Sequence, residues 1–478
     1  MLLSLRRNAS CILWIASLAV AVDLCASTAV LAKPKSPNIK KIAIKAPAPI
    51  PAPIPSLGEL DQWAAEFESR TSSIRLAPDC FPVHVAQRDQ VGIWYLYCSK
   101  EAYTQDGLGQ SVSETFSVQP ELARRFNFWR RVYSLWSKEQ YVLHITPYPE
   151  VVLEMADVSH VVGKGEIARL KLAERILNQH KQDYRRLFQA LHKHRHRPFS
   201  ELSPALRRVA EQMAHITDPD KYQRAASSMR VQRGQRDFVG SGLRFSGRYM
   251  KYVQDEFDAV GIPRELAYLS FVESSFNLEA HSRVGASGVF QIMPDTGRQY
   301  LRVTEEIDER DDPIKASKAA AKLLRMNYEM TGDWALAITA YNHGVGGVRD
   351  AVKKTKSNDI AHLIKFHKSK AFRFASQNFY TEYLGMLATL QDSKRVFPEI
   401  QQAMALQFVN IRMKAPMSMS EVKRKYRMTA EEIHIYNPDI SRLFIKRNGS
   451  LHKGYVLKVP AISDPQQRLA VLSAFQPQ

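Results

Sequence analysis

Residues Ala267 to Arg298, AYLSFVESSFNLEAHSRVGASGVFQIMPDTGR, hold an apolar stripe with one carboxylate set into it. Ile262, Leu266, Leu269 and Phe276 follow at steps of four, three and seven, the spacing of an amphipathic helix. Glu273 falls seven after Leu266 and three before Phe276, where the pattern asks for Leu or Val. An ionised carboxylate in apolar surroundings costs on the order of several kcal/mol, which raises its pKa until it holds a proton near neutrality. Such a Glu suits a general acid. The alternative is a Glu at the edge of the stripe, paired with a basic residue. Pro263 is placed where a first helical turn tolerates it. Beyond the helix, Gly285-Ala286-Ser287-Gly288 leaves room for a ligand or another backbone, and Val289 to Pro294 supplies an apolar wall.

Several short motifs keep register with Glu273. They are the following Ser274, Phe276, Ser282 nine residues on, GASG at Gly285 to Gly288, Gln291 eighteen on, MPDTGR from Met293, and AYNHG from Ala340. This pattern resembles the goose-lysozyme-like, family 1 lytic transglycosylases of the membrane-bound transglycosylase D type. The resemblance covers residues 236–400 and implies a lysozyme-like helical catalytic (SLT) domain acting on peptidoglycan glycan strands. It implies that Glu273 is the catalytic acid and base and that Ser282, Gln291, Met293, Tyr341, Asn342 and Tyr380 contact or position sugars. It implies no metal or organic cofactor. The expected reaction is cleavage of the β-1,4 link between N-acetylmuramic acid and N-acetylglucosamine, leaving 1,6-anhydro ends. The alternatives are a lysozyme-type hydrolase and a non-catalytic wall-binding scaffold. One departure stands out. Where the family often carries Glu-Thr-Arg-x-Tyr, this chain has Ser376-Gln377-Asn378-Phe379-Tyr380, so Tyr380 fits, Ser376 replaces the acid, and Glu382 follows two residues later.

The rest of the 478 residues divides by composition. Residues 1–32 carry Arg6 and Arg7, an apolar run from Cys11 to Val22 and the small-residue site Val30-Leu31-Ala32, a secretory signal too short for a comfortable membrane span. The expected location is therefore periplasmic or cell-wall associated. Asp23 and Leu24 disfavour a lipoprotein anchored at Cys25. Residues 33–58 are proline-rich and read as an extended spacer. Residues 59–117 form a small β-containing segment in which Cys80 and Cys98 are expected to staple a hairpin as a disulfide. Residues 118–235 are rich in helical periodicity and polar side chains, with a solvated basic run at His192 to Arg197. They are expected to be helices stacked ahead of the core. Asp308 to Pro313 reads as helix-start chemistry for the helix from Ile314 to Met330.

Residues 405–462 resemble a single LysM module, which implies a βααβ unit that binds N-acetylglucosamine chains. The usual Gly-Asp-Thr turn is replaced by Ala415-Pro416-Met417-Ser418. The fold class is thus mainly α, with this small module at the end. Net charge is +19, and +18 without Arg6, Arg7 and Asp23. That balance favours anionic partners such as a polyanionic wall. Nucleic acid is not expected, since the basic residues are dispersed and no zinc-finger, KH or RNP pattern occurs. No second apolar stretch reaches transmembrane length, and the sequence leaves oligomeric state open.

Overall fold

The computed structural model describes residues 112–159, 161, 163–462, 464, 466 and 468, with the backbone alone at 81–88, 91–97, 204 and 205. The expected signal, the proline-rich spacer, Cys80 and Cys98 lie outside the described residues. The hairpin expected between the two cysteines is present. Strand β1 (Phe81–Arg88) pairs antiparallel with β2 (Val91–Tyr97), with Phe81 opposite Tyr97.

The chain is mainly helical, but residues 118–235 correct the expectation of stacked helices. Helix α1 (Ala123–Ser134) is followed by β3 (Gln140–Ile145) and β4 (Tyr148–Asp157). Then come α2 (Glu166–Lys193), α3 (Pro204–Gln212), α4 (Lys221–Ser227) and β5 (Met229–Arg233). Together with the hairpin these strands build an antiparallel sheet in the order β1-β2-β4-β3-β5. The sheet separates two cores. Tyr141, Leu143 and Ile145 of β3 pack with Leu172, Ile176, Leu187 and Phe188 of α2, while Val142 and Met155 join the core of Phe128, Trp129 and Trp136. Strands covered on both faces carry continuous apolar runs in place of alternation, which is why periodicity alone did not reveal them.

The second core belongs to a helical body. Helices α5 (Arg236–Ser246) and α6 (Met250–Val260) lead to Gly261, whose φ of 72° ends α6. A tight turn, Arg264–Tyr268, passes into the short α7 (Leu269–Ser274). Helices α8 (Pro313–Thr331), α9 (Trp334–His343), α10 (Val345–Thr355), α11 (Ile360–Phe366) and α12 (Phe374–Gln391) complete the body. Asp312 caps α8, accepting from the N–H groups of Ile314 and Lys315 at 3.0 and 3.3 Å, and the acidic helix-start reading of this segment holds there. Helix α12 is buried along almost its whole length. It crosses α1 closely because residue 385 is glycine; a methyl group there would stand 2.9 Å from the Arg130 nitrogen and 3.1 Å from Trp129 Cβ.

The tail starts with β6 (Phe408–Arg412) and β7 (Met417–Ser418). It continues through α13 (Met419–Tyr426), α14 (Ala430–Tyr436), α15 (Arg442–Lys446), β8 (Ser450–Leu451) and β9 (Val456–Pro460). Reciprocal capping boxes, Ser418 with Glu421 and Thr429 with Glu432, start α13 and α14. Strand β6 pairs antiparallel with β9 and β7 with β8, so the three helices are enclosed by two strand pairs where a simple βααβ unit was expected. The tail is docked on the helical body. The Lys458 ammonium reaches Asp312, Lys315 reaches Asp439 at 2.6 Å, the Asp308 N–H donates to the Asp439 carbonyl at 2.9 Å, and the Ser441 N–H donates to the Glu306 carbonyl at 3.0 Å. Among the described residues no helix is long and apolar enough to cross a membrane.

Candidate active site

Glu273 occupies the last turn of α7. The helix ends sooner than the apolar stripe suggested: Ser275 and Phe276 take φ of 52° and 57°, and the Phe276 N–H turns back to the Ser270 carbonyl at 3.1 Å. Phe276 is therefore buried by a left-handed corner and not by a continuing helix. Gly242 of α5 admits that corner, since a methyl group at 242 would overlap the Ser275 carbonyl. Ser274 ties it down, donating to Ser270 and Val289 carbonyls at 3.1 and 3.0 Å and accepting from the Asn277 N–H at 3.1 Å.

The carboxyl of Glu273 is half-buried, and among the described residues it forms no ion pair with a basic side chain. Burial pushes its pKa up to about 8, and the nearby Glu382 carboxylate adds to the rise. Near neutrality Glu273 thus holds its proton.

The wall beyond it, residues 280–292, is a network of backbone contacts. Ser282 accepts the Ala286 N–H on its hydroxyl at 2.7 Å, so it closes the turn that carries Gly285. Gln291, at φ 45°, donates its side-chain amide to the Ala280 and Gly288 carbonyls, each at 2.9 Å, and leaves its buried Oε1 without a partner among the described residues. Met293 is 40% exposed beside the wall. Arg310 pins the wall from behind: its guanidinium donates to the Gly285 and Ile292 carbonyls at 2.7 and 2.9 Å and pairs with Asp308 at 2.6 Å. Ser287 is bonded to Asp311 through its hydroxyl. Reading the acids at 308–312 only as helix-start chemistry missed this support by Arg310 and Asp311.

Tyr341 stands on α9 and donates its hydroxyl to the Phe290 carbonyl at 2.9 Å. Burial raises its pKa well above the ordinary value and the charge of Glu273 adds to this, so the phenol stays neutral beside the acid. Asn342 follows on the same helix. Ser376, which stands in place of the family's acid, donates to Asn342 Oδ1 at 3.1 Å and meets His343 Nδ1 at 3.1 Å. Tyr380 is in the core of α12, 7% exposed; burial raises its pKa and Asp333 is its acidic neighbour. Cys80 and Cys98 lie outside the described residues.

Glu273, Tyr341 and the 280–292 wall are therefore gathered at one place, and Asn342 is tied to Ser376 nearby. Two further groups join Glu273 that the motif register did not mark as site residues. Glu382 of α12 is 5% exposed, and Tyr133 of α1 is buried with both carboxylates, Glu382 and Glu273, among its electrostatic neighbours. For Tyr133 the sequence offered no signal, since it lies in a segment of ordinary amphipathic pattern far from the motifs.

This geometry is a half-buried, protonated glutamate facing a glycine-rich wall, and residues 257–364 match the family model for the transglycosylase SLT domain. That stretch, about a quarter of the chain, is similar to the transglycosylase SLT domain. The membrane-bound lytic murein transglycosylase D of Escherichia coli (strain K12) is 29% identical over 201 residues, which cover 40% of this chain and 42% of that protein. The chain spans less than half the length of this curated relative. Among solved structures, an inactive mutant of the lytic transglycosylase Slt from Pseudomonas aeruginosa is 18% identical, with a TM-score of 0.27, over 50% of this chain and 37% of that one. The soluble lytic transglycosylase of Escherichia coli gives the same values.

Proposed function

We propose that the protein is a peptidoglycan lytic transglycosylase that cleaves the β-1,4 bond between N-acetylmuramic acid and N-acetylglucosamine. The observation that carries this reading is Glu273, half-buried at the end of α7 with its pKa raised to about 8 inside an SLT domain. A proton retained at neutral pH is what the first step consumes: Glu273 protonates the glycosidic oxygen as the C1–O bond breaks. The resulting carboxylate then takes the proton of the muramyl C6 hydroxyl, whose oxygen bonds to C1 and closes the 1,6-anhydro ring. Glu273 is thereby reprotonated and no water is consumed. Glycosidases in general use two carboxylates, and substrate-assisted exceptions exist. Here the C6 hydroxyl takes the nucleophile's place, which fits a site whose other acid, Glu382, is buried.

The remaining residues act by position. Tyr341 fixes the wall through Phe290 and presents a neutral phenol toward the acid. Ser282 and Gln291 hold the turn and the wall against which a sugar ring lies, and exposed Met293 offers it an apolar surface. Asn342 is oriented by Ser376 to contact an acetamido group, and Tyr380 supports α12 from within the core. The tail, rigidly joined to the body through Asp312 and Asp439, binds glycan and keeps a strand close to Glu273. The substrate places the protein at the wall after export by its amino-terminal segment. Incubation of purified sacculi with the parent protein and with Glu273→Gln tests the reading: the parent releases soluble muropeptides and the variant does not. Sacculi that sediment with the protein and release nothing would replace the enzyme with a binding scaffold.

A further inference from the structure

Asn378 and Glu382 lie one turn apart on α12 and share the face that packs on α1. Arg125, Trp129 and Tyr133 repeat every four residues on α1, forming the opposing stripe. The register of the two faces is fixed by hydrogen bonds. Asn378 Oδ1 accepts from Arg125 Nη1 at 2.6 Å and from Trp129 Nε1 at 3.0 Å, while Arg125 Nη2 donates to the Pro147 carbonyl at 2.9 Å. One turn further along this seam lies Glu382, 5% exposed, with its Oε1 lacking a hydrogen-bond partner among the described residues. Gly385, on the next turn, brings the two helices into close contact, so Glu382 cannot swing away into solvent.

The charged and titratable groups facing this carboxyl come from every element around it. Arg125 and Tyr133 come from α1, Arg230 from β5, with its guanidinium 4.7 Å above the Phe374 ring, and Glu273 from α7. His144 of β3, fully buried against Phe128 and Phe374, is kept neutral by burial and then by Arg230. Facing Glu273 itself are Glu382, Tyr133 and Tyr341. The two carboxyls are thus in different settings. Burial raises the Glu382 pKa to about 8 as well, and Arg230 and Arg125 on two sides pull it back down, whereas both influences on Glu273 favour its neutral form.

We propose that Glu382 is a positioning residue that keeps the acid proton on Glu273, and that the α1 and β5 segments outside the SLT match complete the active site by holding Glu382 and supplying its arginines. It occupies the role left open where Ser376 replaces the family's second acid. When the pair loses its first proton, Arg125 and Arg230 favour the charge on Glu382, and that negative charge disfavours ionisation of Glu273. The two groups titrate as a coupled pair, so the second proton, the catalytic one, persists to higher pH than a lone buried Glu would allow. This rests on the reading of Glu273 as the acid.

The test is a carbon-13 carboxyl titration of Glu273 in the full chain, assigned by its loss in Glu273→Gln, beside the pH profile of kcat/KM on glycan strands. Glu382→Gln removes the neighbouring charge and is expected to lower the Glu273 midpoint and the alkaline limb together by about one pH unit, with KM changed little. Glu382→Asp restores both. Arg230→Gln, at a half-buried site, raises the Glu382 midpoint and lowers that of Glu273, which keeps the test open if Glu382→Gln fails to fold. An unmoved Glu273 midpoint in the folded variants overturns the proposal, as does a fall in kcat with no movement of the limb. A parent protein that turns over no glycan sinks the enzyme reading instead, and the carboxyl titration still decides the coupling.

Discussion

The joint between the tail and the helical body rests on three buried charged groups, Lys458, Asp312 and Asp439, and the partly buried Lys315, and removing one of them is the sharpest test of that joint. Lys458 is 4% exposed, Asp312 and Asp439 are no more than 1% exposed, and Lys315 bridges Asp439 and Glu309 at 2.6 and 3.2 Å. Tyr455 donates to Asp439 at 2.8 Å. Burial works against the Asp312 charge, yet Lys458 and Lys315 hold it below the usual carboxylate range. Lys458→Met leaves two carboxylates facing one ammonium in an interior that cannot solvate them. Breaking a buried pair from one side costs about 3–5 kcal/mol. For a cooperative unit of this size that is about 10 °C in Tm. Asp312→Asn keeps the cap of α8, because Asn caps as well as Asp, and removes the charge left over. The double variant is therefore expected to regain about 2–3 kcal/mol relative to the sum of the singles. The assay is urea and thermal unfolding of the full chain for the four members of the cycle, at pH 7 and pH 4. Since the Asp312 pKa is depressed by folding, its contribution is present above the unfolded value near 4 and is lost as pH falls through the folded one. A Lys458→Met variant within about 1 kcal/mol of the parent, or a strictly additive cycle, refutes the picture of a fixed joint.

Gly288 has φ of 72° and its added methyl would overlap the Arg310 carbonyl, so Gly288→Ala is expected to cost about 2–4 kcal/mol and abolish glycan cleavage, read by unfolding and by turnover. Tyr341→Phe leaves the Phe290 carbonyl without its donor and is expected to lose about 1–3 kcal/mol of stability together with a fall in kcat, measured on the same preparations. The Asp311 carboxylate, chiefly by hydrogen bonding, pushes the His281 pKa up to about 9. Because folding raises it, the stabilisation is full below about 6.5 and fades as pH rises through about 9, and solvent around the exposed ring keeps it small. Proton NMR should show the His281 midpoint fall toward 6.5 in Asp311→Asn, and an unchanged midpoint would remove Asp311 as the cause.

The site was legible in the sequence where local spacing sets the geometry. Glu273, the wall from Gly285 to Met293 and Tyr341 lie within 70 residues, on a turn, a loop and a helix whose glycines and caps are themselves sequence signals. The limits of α8 were readable too, because Asp312, Pro313 and Gly332 are local punctuation. The strands at 140–157 were not readable, since a sheet with helices on one face and α1 on the other has no polar face to betray its period. The end of α7 was misread because Phe276 reaches the core through a left-handed corner that the seam with Gly242 permits, a tertiary cause with no local mark. Tyr133 and Glu382 are 249 residues apart and meet only through the crossing of α1 and α12, so neither could be tied to Glu273 by spacing alone.

In the proposed reaction Glu273 drives cleavage without water. Digesting sacculi in oxygen-18 water and weighing the released muropeptides tests it most directly. The expected products are about 18 Da lighter than reducing-end fragments and free of the heavy isotope, formed by the parent protein and absent with Glu273→Gln. Reducing ends that carry one oxygen-18 atom would contradict it and make the protein a hydrolase.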